Sequence, residues 1–353
     1  MGLKKYTSRV FVAAILLTLV AIPKMVSGQS SDDPHFNVDV ENAAIFHGAP
    51  GEWDGTFTDP GTVVVHDGKF HMFRNGFQGW PASVEIGYLT SDDGTTWTEV
   101  TPDPVFYTAD APFSVRAALA SSALVEDDGT WVLYFYLWPR AFGSSVHLGA
   151  IARATAPAPQ GPWTMDTELS LSRGSAGEWD DGQLVAPSVI KTDARYVMYY
   201  SGWGANTASN GIGMATSSDG ITWTKYNDPA TTEAPYAESD PVFLPSTEAD
   251  AWDSERVAQP RVRLTPDGYI MLYRSSKGAD RDKAYGLAIS QDGLHWERVG
   301  SSPVFSDAET NLRGIWYAEL EYHNGTYYGY FEIQRGSVFQ TDIYVGTWTG
   351  SLN

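Results

Sequence analysis

The chain has 353 residues and a formal charge of −20, with 43 Asp and Glu against 23 Lys and Arg, and no Cys. Such acidity repels phosphate backbones and anionic headgroups, which excludes nucleic acid and membrane surfaces as expected partners. Without Cys no disulfide frame can stand in for a hydrophobic core, and the 13 Trp, 19 Tyr, 15 Phe and 34 Gly suit many short strands with tight turns.

Residues 1–28 read as a secretory signal peptide. Lys4, Lys5 and Arg9 form a basic start, Phe11 to Ile22 is an apolar run broken by one Thr, and Val26-Ser27-Gly28 offers small residues for cleavage. The run is short for a membrane span and no stop-transfer pattern follows. Its removal takes four cations (with Lys24) and no acid, leaving the remainder still more acidic. The expected location is therefore outside the cell or in a periplasm. Residues 29–37 read as a polar linker, and residues 38–353 as one domain.

Five hairpins follow in order. Thr62 to Val65 leads through His66-Asp67-Gly68 to Lys69 to Phe73. Ala123 to Val125 leads through Asp127-Asp128-Gly129 to Trp131 to Phe135. Ser188 to Ile190 joins Tyr196 to Tyr200 through Asp193-Ala194, without the glycine. Arg261 to Leu264 leads through Pro266-Asp267-Gly268 to Tyr269 to Tyr273. Leu320 to Tyr322 leads through Asn324-Gly325 to Tyr327 to Phe331. Strand-favouring residues joined by Asp-Gly or Asn-Gly are hairpin chemistry.

A third strand then runs into a repeated phrase: Ser91 to Trp97, Ser217 to Trp223 and Ser290 to Trp296 each read Ser-x-Asp-Gly-x-x-Trp, with a degenerate copy at Pro159 to Trp163. The spacing of roughly 60 to 75 residues suits one propeller blade. Repetition explains Asp93, Asp219 and Asp292 as turn-builders with no need of chemistry. Outer strands end in Pro104-Val105-Phe106, Pro241-Val242-Phe243 and Pro303-Val304-Phe305. The fifth blade lacks one, and Ala44-Ile45-Phe46 matches it from the N-terminus. The predicted fold is an all-β, five-bladed β-propeller, its ring closed by an N-terminal strand completing the last blade.

A second phrase, Trp53-Asp54, Trp179-Asp180 and Trp252-Asp253, precedes Pro60, Pro187 and Pro260. It reads as a joint between blades. Function is expected where the blades differ around the central pocket. Asp59, Ala186 and Gln259 precede the prolines, and Gly61, Ser188 and Arg261 follow them. Blade two offers Arg116, Ser121 and Ser122, and blade five offers Trp316, Tyr317 and Glu319. Asp181 is an extra carboxylate, while Glu332 and Arg274 take places held elsewhere by Asn75 or Ser201.

Five blades, Thr58-Asp59-Pro60 before an aromatic hairpin, and Ala154-Thr155-Ala156-Pro157 leading to Gly161-Pro162-Trp163 resemble the five-bladed glycosidase superfamily. That group contains the arabinanase/xylosidase, invertase/levanase and mannoside-phosphorylase families. The resemblance spans essentially all of the mature chain. It implies three acids, of which Asp59 matches the base or nucleophile. The other two places read Ala186-Pro187 and Ala258-Gln259-Pro260.

Glycoside hydrolysis needs two carboxyl groups flanking the bond. Glu319 is the first candidate partner for Asp59, Asp181 the second and Glu332 the third. The alternative for Glu319 is an ion pair with an Arg in a structural cluster. Arg116, Ser122, Gln259, Arg261, Arg274 and Glu332 are the candidate substrate-binding residues. The arginines could orient hydroxyls or a carboxylate, or hold phosphate. His66 and His71 read as structural, and neither a metal nor a cofactor is expected. The expected activity is glycoside hydrolysis by a monomer acting on oligo- or polysaccharide. The alternatives are a glycan-binding propeller without catalysis and, from the same resemblance, a phosphorylase.

Overall fold

Backbone at positive φ shapes the hairpin turns: Asp67 and Gly68 sit at 51° and 72°, and Asn324 and Gly325 at 49° and 80°. Two successive residues in this region make the mirror-image turn whose twist matches that of the flanking strands. The computed structural model describes residues 33–79, 82–139, 149–205, 210–277, 281–310, 314–334, 339–350 and 352, so the signal-peptide reading at 1–28 lies outside the described residues. Five antiparallel sheets stand in a ring, as the repeat predicts.

The strands nearest the axis are Phe57–His66, Val115–Val125, Gln183–Lys191, Ala258–Thr265 and Gly314–His323. Second strands follow at Lys69–Phe77, Trp131–Pro139, Tyr196–Trp203, Gly268–Lys277 and Thr326–Gln334. Third strands follow at Glu85–Ser91, Ala150–Ala156, Asn210–Ser217, Arg281–Ser290 and Thr341–Trp348. The outer strand is split in two in each blade. In blade one, for instance, Thr98–Glu99 and Phe106–Tyr107 both pair with the third strand.

The N-terminal segment closes the ring in the same divided manner. Asn37 and Val38 pair with Thr347 and Gly346, and Ile45 bridges Ile343. The expected closing segment around Ile45 is thus one half of the outer strand. The other half shortens the linker read at 29–37, because Phe36 is buried against Phe331 and its N–H donates to the Val304 carbonyl. A polar run conceals this, since a single aromatic carries the contact.

Apolar clusters fill the five junctions between blades. The Asp-Gly-Trp turns take part in three of them. In each, the Asp accepts two backbone N–H bonds from the turn, as Asp93 does from Thr95 and Thr96 at 2.7 Å, and a Ser hydroxyl caps the Gly N–H. A tyrosine of the preceding blade then donates to the glycine carbonyl. Tyr134 reaches Gly220 at 2.6 Å, Tyr199 reaches Gly293 at 2.7 Å, and Tyr330 reaches Gly94 at 2.8 Å. Each tyrosine also meets the turn's Trp edge-to-face, at 5.9, 5.5 and 5.7 Å. The degenerate turn in blade two lacks the Asp, and Phe73 stands against its Trp163. Turn and partner have lost their polar halves together.

The Trp-Asp phrase departs in part from expectation. Its Asp fastens each blade's entry loop across that blade's own strands, while Trp179 and Trp252 also pack with the clusters between blades. Asp54 pairs with Arg74, Asp180 with Lys225 and Asp253 with Arg298, each at 2.6 Å. The tryptophans lie over glycines: a Cβ added at Gly76, Gly202 or Gly286 would meet Trp53, Trp179 or Trp252 within 2.6 Å. Sequence order places this loop between blades, which suggests a joint; its charge partners lie on the blade it enters.

Two substitutions test these contacts by chemical denaturation. Tyr199→Phe leaves the buried Gly293 carbonyl unpaired and is expected to cost about 1–2 kcal/mol. Phe36→Ala empties a core site on the closing strand and is expected to cost ~3–5 kcal/mol.

Candidate active site

The inner strands lose register close to the pocket end. Asp59 pairs with Asn75 and the next ladder pair is Thr62 with Phe73, so Pro60 and Gly61 form a bulge. Ala186-Pro187 and Gln259-Pro260 occupy the corresponding bulges, flanked by the pairs Val185–Ser201 and Ala258–Arg274. Alignment by the prolines is therefore one residue out: Asp59 corresponds to Val185 and Ala258. Ala186 and Gln259 sit in the bulges themselves at φ 53°, a left-handed conformation unusual for both.

Side chains two residues apart on a strand share a face. Counting two residues on from Phe73, Tyr134, Tyr199, Leu272 and Tyr330 gives Asn75, Tyr136, Ser201, Arg274 and Glu332. No two of these five are alike, although their positions are equivalent. Tyr136 escaped the sequence reading, yet the same count from Tyr134 finds it.

Asp59 is buried within this ring. Its Oδ1 accepts from the Gly61 N–H at 2.7 Å and from Asn75 Nδ2 at 2.8 Å, while Oδ2 has no hydrogen-bond partner. Burial pushes its pKa up to about 6, against the pull of those two bonds and of the Arg261 charge. Glu332 is pushed well above the usual carboxylate range, first by burial and then by the negative charge of Asp59. Both carboxyl groups therefore hold a proton to higher pH than a free carboxylate does.

Glu332 lines a cavity of about 190 Å³ with Phe57, Phe77, Leu119, Trp138, Trp316, Tyr317 and Phe339. Asp59 lies behind that lining. The phenols of Tyr136 and Tyr317 connect the two places, since the Asp59 charge raises the pKa of both.

The other candidates separate cleanly. Glu319 lies one pleat further from the cavity, facing Tyr330 in the ladder. Its Oε1 accepts from Arg263 Nη2 at 2.9 Å, and Arg261 Nε stands 3.4 Å from Oε2. This is the ion pair with an Arg that the sequence offered as the alternative for Glu319, whose pKa burial nevertheless raises. Arg261 is further held by the Ala318 carbonyl and the Ser121 hydroxyl, at 2.9 and 3.1 Å. Asp181 is occupied by the backbone: its oxygens accept from Gly177 and Ala205 N–H groups at 2.7 and 2.6 Å, which ties two loops of blade three. Ser122 exchanges hydrogen bonds with the Val189 backbone of the next blade. Arg116 lines a separate groove with Ser83, Thr108 and Phe113.

Arg274 and Gln259 do reach the ring. In the orientation that satisfies its neighbours, the Gln259 amide oxygen accepts from Arg274 Nη1 at 3.0 Å and its nitrogen donates to the Trp316 carbonyl at 3.2 Å. Its backbone N–H donates to Ser201 Oγ at 2.6 Å.

This architecture is the five-bladed propeller that glycoside hydrolases also build, as the resemblance implied. No family model matches the sequence, and no curated protein does. Among solved structures, a glycosyl hydrolase from Bacteroides ovatus is similar, with a TM-score of 0.65, 17% identity and coverage of 90% of this chain and 94% of that one. So is a structure from a family of mannoside phosphorylases that contains glycoside hydrolases targeting beta-1,2 mannosidic linkages in Candida mannan. Its TM-score is 0.66 at 18% identity, covering 91% of this chain and 95% of that one. An exo-1,5-alpha-L-arabinanase from a bovine ruminal metagenomic library shares the fold at 0.54 and 16% identity, over 86% of this chain and 94% of its own. At these identities the likeness is one of fold.

The buried Asp59 has a consequence for stability. Its folded pKa of about 6 exceeds the ordinary 3.8, so folding is favoured by this group at low pH and disfavoured as pH rises through 6. Asp59→Asn is expected to gain stability relative to the native chain between pH 4 and pH 6, levelling at about 3 kcal/mol above that. Urea midpoints across pH measure it, and a pH-independent difference would refute the assignment.

Proposed function

We propose that this chain is an exported glycoside hydrolase in which Asp59 serves as the base or nucleophile and Glu332 as the proton donor. The observation that carries the reading is the coupled pair. Both carboxyl groups have raised pKa values and the charge of Asp59 raises that of Glu332, and glycosidic bond cleavage draws on such a pair with one member ionised and the other protonated. The mostly aromatic wall supplies flat apolar surfaces for a sugar ring. The cavity is smaller than the ~300–1,000 Å³ clefts that take drug-sized ligands, which favours one terminal ring over an internal stretch of polymer. Tyr317 lines the cavity and stands within electrostatic reach of Asp59. The leader-like order of residues 1–28 supports export.

A second reading, glycan binding without turnover, is favoured by one observation: Glu332 meets the cavity directly while Asp59 lies behind it. Screening aryl glycosides and oligosaccharides separates the two. The hydrolase reading expects Asp59→Asn and Glu332→Gln each to lower kcat by about 10²–10⁴-fold, while Glu319→Gln acts through stability. It also expects kcat/KM to rise with pH through about 6, as Asp59 loses its proton, and to fall again where Glu332 loses its own. Activity surviving both substitutions sinks the assignment. Saturable sugar binding with no turnover establishes the second reading, and a requirement for inorganic phosphate would identify a phosphorylase.

A further inference from the structure

We infer that the cavity selects a terminal sugar carrying a methyl group where a common hexose carries its exocyclic hydroxyl, a 6-deoxyhexoside. This rests on the reading that the cavity takes a sugar ring. Among the described lining residues, seven of eight present carbon surface: Phe57, Phe77, Leu119, Trp138, Trp316, Tyr317 and Phe339, with Glu332 as the one carboxyl group. Phe57 and Phe77 stack at 4.7 Å, and Phe339 closes on Phe57 edge-to-face at 5.1 Å and on Trp316 at 6.1 Å, so these aromatics form a continuous wall.

A sugar hydroxyl buried without a partner loses its bonds to water and gains none in return. Among the described lining residues the one charged group is Glu332. Glu332 stands at the lining; Asp59 Oδ2 is buried without a partner among the described residues, and the buried Tyr136 phenol interacts with Tyr317 of the lining. Those groups can receive the glycosidic oxygen and the ring hydroxyls beside it. The part of the ring turned away from them meets the aromatic wall. A methyl group gains contact there, whereas a hydroxymethyl group strands its oxygen.

An added hydroxyl is rejected only modestly by an apolar pocket, up to about 10²-fold. Matched pairs that differ solely at the sixth oxygen isolate this: D-fucosides against D-galactosides, D-quinovosides against D-glucosides, and D-rhamnosides against D-mannosides, as both anomers. Binding of the methyl glycosides is read by quenching of the emission of Trp138 and Trp316, and turnover by release of nitrophenol from the corresponding aryl glycosides. In the pair that fits best, the deoxy member is expected to bind or react 10–100-fold more favourably. Phe77→Tyr, which adds a hydroxyl to the wall, is expected to shrink that ratio, with thermal melting confirming that the variant folds. Preferential binding without turnover removes the hydrolase reading and leaves this inference standing. Equal binding within every pair, preference for the hydroxylated member, or no saturable quenching by any of them overturns it.

Discussion

The ring stands on what crosses the gaps between blades, because the strand ladders run within each blade. Around the axis the crossings are polar. Asn75 exchanges two bonds with the Ala120 backbone, Ser122 does so with Val189, the Ser188 hydroxyl accepts from the Val262 N–H, and Arg261 donates to the Ala318 carbonyl. Further out, tyrosine hydroxyls hold the Asp-Gly-Trp turns. Each inner strand is the edge of its sheet, and the ties around the axis satisfy backbone groups on that edge with side chains of the neighbouring blade.

This arrangement also divides the acids by height along the axis. Glu319 sits beside Arg261 and Arg263, whose charges pull its pKa down against the larger upward push of burial. One pleat nearer the cavity, Asp59 and Glu332 form no ion pair among the described residues; burial raises both pKa values, helped by the Glu319 charge at Asp59 and by the Asp59 charge at Glu332. Burial and a neighbouring carboxylate both favour the protonated acid, and a guanidinium opposes it.

Much of this was legible in the sequence, and the limits have physical causes. Asp-Gly and Asn-Gly turns, repeated Trp positions and the unmatched strand at Ile45 specify five blades and their closure, because backbone geometry admits few residues there. Asp59 stood out by adjacency to a proline. Glu332 ranked behind Glu319 because counting along a strand gives a face but not a charge environment, and the arginines beside Glu319 come from blade four. The bulges add residues that a proline-based alignment cannot register, which put Ala186 and Gln259 in the place of Val185 and Ala258. Phe36 was missed because one buried aromatic leaves no periodicity.

The closing strand sets an order of events. Asn37 leaves the ribosome long before Thr347, its ladder partner. Loop-closure entropy is largest for the contact that spans nearly the whole chain, so blade five gathers last and slowly. Until then the first segment has no sheet to join, and the third strand of blade five is an open edge able to pair with another chain. That edge is open from the arrival of the last strand until the first segment docks on it.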